Sequence, residues 1–143
     1  MIETAFMIVF FLAFVLLLSD GVKMCYDWIS LQYAVNQTSR WGILGLQDSG
    51  MTHQASMIAR VQQTATELGL PGNQVRVRFY NPSDTSGVEN NSMVNSPENF
   101  LVMRADLDIT TPFAGAFFNI VGDLGGPNFN LMAQALVRNE PFS

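Results

Sequence analysis

Apolar and polar residues are distributed unevenly along this chain. From Ala5 to Leu18, fourteen consecutive residues carry no polar side chain, and from Met1 the run is broken only at Glu3 and Thr4. With Phe, Leu, Ile and Val on every face, a helix here has no polar side to show water. At 1.5 Å per residue, eighteen residues reach about 27 Å, just short of a typical hydrocarbon core. A cleaved signal peptide would want a basic start and a small-residue cleavage site. No Lys or Arg precedes Lys23, and the residues at 16–21, LLLSDG, match such a site poorly. A buried core helix fits the length but not the all-round oil. The pattern therefore predicts a helix buried in a membrane or in an assembly.

Helical spacing continues through GVKMCYDWISLQYAVNQTSRWG, residues 21–42. Val22, Cys25, Ile29 and Tyr33 trace one face, and Met24, Trp28, Leu31 and Val35 trace another. Two apolar faces predict contact from two sides, one by the chain's own domain and one by neighbouring subunits. Gly42 and Gly45 offer stops. A second helix is predicted in MTHQASMIARVQQTATELG, where Met51, Ala55, Ile58, Val61, Ala65 and Leu68 repeat at threes and fours, closed by Gly69 and Pro71. All six prolines follow residue 70. Because proline breaks helix interiors, the remainder is expected to be mainly non-helical. QVRVRFY alternates Val75, Val77 and Phe79 against Arg76, Arg78 and Tyr80, a half-buried strand. FLVMRADLDITT alternates less cleanly, and NFNLMAQALVR reads as a last strand. The nineteen residues at 81–99 are loop by composition, and the oily connection PFAGAFFNIVGDLGGP has no settled type. The fold class is thus α+β, with a long N-terminal helix, a short second helix and a C-terminal antiparallel sheet of at least three strands. Residues 1–45 form the apolar helix with its amphipathic extension, and 46–143 a small globular domain.

The net charge of −5 changes the picture by exclusion, since seven basic residues are scattered among twelve acids. A phosphate backbone needs clustered Lys and Arg, so nucleic acid is excluded as a partner. One cysteine and one histidine exclude an internal disulfide and most thiolate or imidazole metal cages. Cys25 and His53 could form a dyad, but a small thiol and a helix-start histidine explain them as well. Asp106 and Asp108 share a strand face about 7 Å apart, and with Asp123, Asp84 or Glu89 they are a weak calcium candidate lacking the full loop spacing. Alternating polar residues on a solvated strand is the plainer reading. GDLGGP, residues 122–127, has no lysine and leads into a strand, so turn chemistry takes it before phosphate binding does. Asn36 and Asn90 sit in N-x-[ST] sequons, which a chain rich in Asn and Thr produces by chance. The residues form no convergent acid, base and nucleophile set, which points away from an enzyme and from any cofactor.

The order of glutamate, oily helix, amphipathic extension and small β-domain resembles type IV pilin-like proteins, and in detail the TadE-like pilus-assembly pseudopilins. Glu3-Thr4-Ala5-Phe6 supplies the family's short start, Asp20 the later acid, and AVNQTSRWG, Ala34 to Gly42, the A-x-x-x-x-x-R-x-G piece containing Arg40. The ending ALVRNE, with Arg138 and Glu140, is similar to the family's last strand. Glu3 lies two residues nearer the start than the family's glutamate. The missing leader leads to the expectation that a basic segment has been removed by a prepilin peptidase. The resemblance implies a subunit held in the inner membrane by a single span, with its β-domain outside. That subunit then polymerises with copies of itself or other pilins, through inner-membrane assembly machinery, into an extracellular pilus. Glu3 would pair with the positive amino terminus at Met1 of a neighbour, with Gly21 as a point of bending and Asp20, Arg40 and Gly42 as further assembly residues. The alternatives are a minor pseudopilin that primes or tips a pilus, or a non-polymerising, singly anchored periplasmic binding domain.

Overall fold

The computed structural model describes residues 2–44, 49–82, 89, 100–115 and 128–138. Met1, Gly45, Asp84, Asn90, Asp123, the glycine-rich 122–127 and Glu140 lie outside these. The fold is α+β: a long helix α1 (Ile2–Ile43), a shorter helix α2 (His53–Glu67), a 3-10 turn (Gly72–Gln74), and strands β1 (Arg76–Tyr80), β2 (Phe100–Thr110) and β3 (Asn128–Arg138). The strands form one antiparallel sheet in the order β1-β2-β3, with Phe79 opposite Met103 and Val77 opposite Ala105. The chain divides into two compact units, Met1–Asp27 with Asp108–Asn130, and Trp28–Leu107 with Leu131–Ser143.

In the unit Trp28–Leu107 with Leu131–Ser143, the core follows from strand alternation and helical spacing. Val75 and Phe79 point inward from β1 and its lead-in, Leu101, Met103, Ala105 and Leu107 from β2, and Ala133 and Val137 from β3. Leu31, Ala34 and Val35 of α1 and Met57, Val61 and Ala65 of α2 complete it. Each large side chain fully buried this way is worth about 1.5–3 kcal/mol of transfer free energy.

Both ends of α2 are set locally. The Thr52 side chain accepts from the Ala55 amide at 3.2 Å, satisfying one orphan donor of the first turn. At the other end Gly69 takes φ +83, its amide donates to Thr66 O and the Leu70 amide to Ala65 O. This paired closure needs a left-handed residue, which glycine adopts without a Cβ penalty. The buried face of α2 differs from the expected stripe. Val61 and Ala65 are on it, but His53, Ser56, Met57 and Thr64 replace Met51, Ala55, Ile58 and Leu68. Small polar Ser56 and Thr64 take inward positions that hydropathy alone assigns to larger residues, and the Ser56 hydroxyl is satisfied by Thr52 O.

Helix α1 ends at Ile43, between the two glycines expected to offer stops, and the missing side chain of Gly42 admits Met57: a Cβ there would lie 2.8 Å from Met57 Cε. One further expectation is corrected: Asp106 is not a solvated strand residue. It is 5% exposed, and the reason is the arginine pair described below.

Candidate functional site

The feature that a soluble fold does not explain is the first half of α1. Phe6, Met7, Val9, Phe10 and Phe11 are each at least 64% exposed. Only 6% of the most apolar window of this helix is buried, and the helix is long and apolar enough to cross a membrane. Isolated exposed apolar residues are ordinary, but a contiguous apolar surface of this extent marks a lipid or protein contact. One face gathers Met7, Phe10, Phe11 and Phe14 around a shallow recess, as spacings of three and four require. Glu3 is exposed in the first turn, where its negative charge complements the positive end of the helix dipole. Arg40 holds the matching position in the last turn.

Beyond the apolar run, the two faces expected of the extension differ. Of the face Met24, Trp28, Leu31 and Val35, Leu31 and Val35 are buried, Met24 is half-buried and Trp28 is 48% exposed, while Val22, Cys25, Ile29 and Tyr33 of the other face stay on the surface. The domain side of the prediction is filled only in part, at Leu31 and Val35 with Ala34 beside them.

The remaining assembly candidates separate by environment. Asp20 is 4% exposed. Its Oδ2 accepts from the Phe113 amide at 2.9 Å and the Ala114 amide at 2.7 Å, capping the single helical turn at 112–115. Asp20 is thus a fold contact within its own chain. Gly21 lies in unbroken helix, and a Cβ there would meet nothing within 4 Å. Arg40 is exposed and lines a surface recess with Tyr33, Asn36 and Gln37. Gly42 is buried against Met57. Met1, the expected partner of Glu3 in a neighbouring copy, is outside the described residues.

Of the residues weighed for catalysis and metal, His53, Asp106 and Asp108 make defined contacts. His53 is buried, its ring parallel to Trp41 with centroids 6.3 Å apart, and Arg60 covers Trp41 at 5.8 Å. Cys25 is an exposed thiol on α1. Asp106 accepts from Arg104 Nε at 2.9 Å, and Asp108 from the Asn130 amide at 2.8 Å. Among the described residues no group of three His, Cys, Asp or Glu could hold a metal ion.

Two arrangements were not anticipated. Trp28 Nε1 donates to Met132 O at 3.2 Å, and Gln32 Nε2 to Gln134 O at 3.1 Å, so two α1 side chains one turn apart cover carbonyls on the edge strand β3. The second is the Arg104–Asp106 pair with Arg78 beside it. The first joins residues more than a hundred positions apart, and the second brings Arg78 of β1 beside a pair two residues apart on β2; the local signals were a Trp and a Gln at i, i+4 and charges at alternate strand positions. No protein-family model, no curated protein and no solved structure matches this chain.

Proposed function

We propose that this chain is a structural subunit of a TadE-like, type IV pilin-like filament, anchored in the inner membrane by α1 before assembly and extracellular after it. The observation that carries the reading is the division of one continuous helix. Its first half is apolar and largely exposed, with only Ala13, Leu17 and Asp20 covered in part or whole, while its continuation buries Leu31, Ala34 and Val35 in an α+β domain and leaves Ile29 and Tyr33 exposed. A helix that served only as a tether needs oil through the bilayer and no further. Here Ile29 and Tyr33, 60% and 56% exposed, extend the apolar surface well past Asp20, where neighbouring subunits in a bundle would cover it.

In the membrane the oily segment is solvated by lipid. In the filament these segments exchange lipid for one another, and Glu3 enters a medium where an unpaired carboxylate costs several kcal/mol. The amino terminus of a neighbouring subunit supplies the opposite charge, so Glu3 sets the axial register of an incoming subunit more than it adds stability.

Negative-stain microscopy of sheared cell-surface material, with N-terminal sequencing of its main band, tests the reading. Filaments containing this chain are the expected result; a chain confined to the membrane fraction of filament-free cells would reject it in favour of a non-polymerising anchored domain. Glu3→Gln is expected to lower filament yield while the domain stays folded. Normal yield from that variant would sink the register role.

A further inference from the structure

The oily run ends at Leu18, and eighteen residues reach only about 27 Å against a hydrocarbon core of about 30 Å. Asp20 therefore stands at the edge of the hydrocarbon, with the exposed, apolar Val22 beyond it. Acids at such depths face protein partners instead of lipid. Asp20 is 4% exposed, and its partner is the turn at 112–115, in the same compact unit, Met1–Asp27 with Asp108–Asn130.

Backbone beside hydrocarbon must have its amides bonded within the protein, because lipid offers no acceptor. The turn meets that requirement at every position. Pro112 has no N–H, the Phe113 and Ala114 amides donate to Asp20 Oδ2 at 2.9 and 2.7 Å, and the Gly115 amide donates to Thr111 O at 3.0 Å. Its side chains are apolar, with Ala114 buried, Pro112 exposed and Phe113 44% exposed. The cap uses backbone amides alone, so folding does not call for a phenylalanine at 113. The sequence around it is equally apolar, with no charged residue between Asp108 and Asp123. On the face of α1 that carries Asp20, Leu17 and Ala13 are half-buried one and two turns earlier. The chain thus covers part of its own helix inside the oily run.

We propose that the turn at 112–115 is a second membrane contact of this chain, with Phe113 seated at the boundary between acyl chains and headgroups. The inference rests on the anchoring of α1 in lipid proposed above, and not on polymerisation. Asp20 does two things in this arrangement: it keeps its own charge out of lipid, and it fixes Phe113 at the level where α1 leaves the hydrocarbon. An apolar ring at that level gains by leaving water. The backbone behind it stays bonded to protein, so the turn lies on the bilayer and does not enter it.

The test is spin-label accessibility in the full chain reconstituted in phosphatidylcholine vesicles, with Cys25→Ser removing the native thiol. A nitroxide on Phe113→Cys is expected to collide with lipid-soluble oxygen severalfold more than with a water-soluble nickel chelate, as a nitroxide on Phe10→Cys should. Preference for the chelate at 113 with preference for oxygen at 10 overturns the proposal and leaves the anchor standing. Preference for the chelate at both positions rejects the anchor itself, and the proposal with it. Low collision with both reagents at 113 also overturns it, and reassigns Phe113 to a contact between subunits. Circular dichroism reports whether the labelled chain folds, and Pro112→Cys offers a second position if it does not. Hydroxyl-radical footprinting of the unaltered chain in the same vesicles needs no variant. Phe113 is expected to be oxidised severalfold less than Phe100, which is 49% exposed, and equal oxidation of the two overturns the proposal.

Discussion

Two backbone amides converge on one oxygen of Asp20, from Phe113 at 2.9 Å and Ala114 at 2.7 Å. A hydrogen bond to an ionised acceptor contributes about 1.5–3 kcal/mol, and the cost of orphaning buried donors is of similar size. Asp20→Ala is therefore expected to cost about 3 kcal/mol. Asp20→Asn, which keeps an acceptor but loses the charge, is expected to cost roughly half of that. Chemical unfolding of the full chain in mild detergent measures both, and an unchanged midpoint in the alanine variant would show that the contact carries no stability. The glycines divide on the same physical ground. A Cβ at Gly72 would run into Gln62 O and Thr66 Oγ1, backbone and a hydroxyl already bonded to Gln62 O, so Gly72→Ala is expected to cost about 1–3 kcal/mol as an overpacked site. At Gly21 there is open space inside a helix, and Gly21→Ala is expected to stabilise the unassembled chain by up to about 1 kcal/mol. That makes the bending role of Gly21 separable: raised thermal stability with lowered filament yield supports it, and raised stability with unchanged yield removes it. Residue identity alone shows that Asp20 and Gly21 stand at the end of the oily run. It does not show that Asp20 is bonded to amides more than ninety positions away.

At the scale of elements, β3 is an eleven-residue strand at the edge of the sheet, with Met132 and Leu136 exposed at 44% and 59%. Long, apolar edges template pairing with another chain unless something blocks them. Trp28 and Gln32 occupy the Met132 and Gln134 carbonyls, and they do so from a helix, which cannot itself extend a sheet. A Trp28→Phe/Gln32→Leu variant removes both donors and keeps apolar bulk. It is expected to lose about 1–2 kcal/mol of stability in the unfolding assay and to gain thioflavin-positive, β-rich aggregates on mild heating. A variant as soluble as wild type after heating would show that the edge is guarded by other means. The strands themselves were legible in the sequence: NFNLMAQALVR coincides with β3, and the alternation of Val75, Val77 and Phe79 against arginines locates β1. Period two survives because each strand buries one face. The face of α2 was less legible, since Ser56 and Thr64 are buried where a hydropathy pattern looks for larger apolar groups. The edge guard was not legible at all, because a Trp and a Gln one turn apart read equally well as any helix surface.

For the whole molecule, the apolar half of α1 and the folded core draw on different residues, and that separation permits a test of the anchor without disturbing the domain. Phe10 lies near the middle of the oily run and is 69% exposed, so it contributes little to the core formed by Phe79, Leu31, Met57 and their neighbours. Lysine at the centre of a spanning helix costs about 2.5–3.5 kcal/mol on insertion scales. Phe10→Lys is accordingly expected to shift the chain from the carbonate-resistant membrane fraction toward the extractable one by roughly a hundredfold in partition. The unfolding midpoint of the domain in detergent should stay within about 0.5 kcal/mol of wild type. A variant that remains fully membrane-bound would mean that the helix is held by protein contacts instead of lipid, since a neighbouring acid can neutralise a lysine in a way that hydrocarbon cannot. Glu3 is such an acid within the same helix, on the same face and about 10 Å away along the axis, within the combined reach of an extended lysine and glutamate. Retention of Phe10→Lys in the membrane that disappears in the Phe10→Lys/Glu3→Gln double variant would therefore identify Glu3, of the same chain or of a neighbouring copy, as the partner, and retention that survives the double variant would point to another carboxylate.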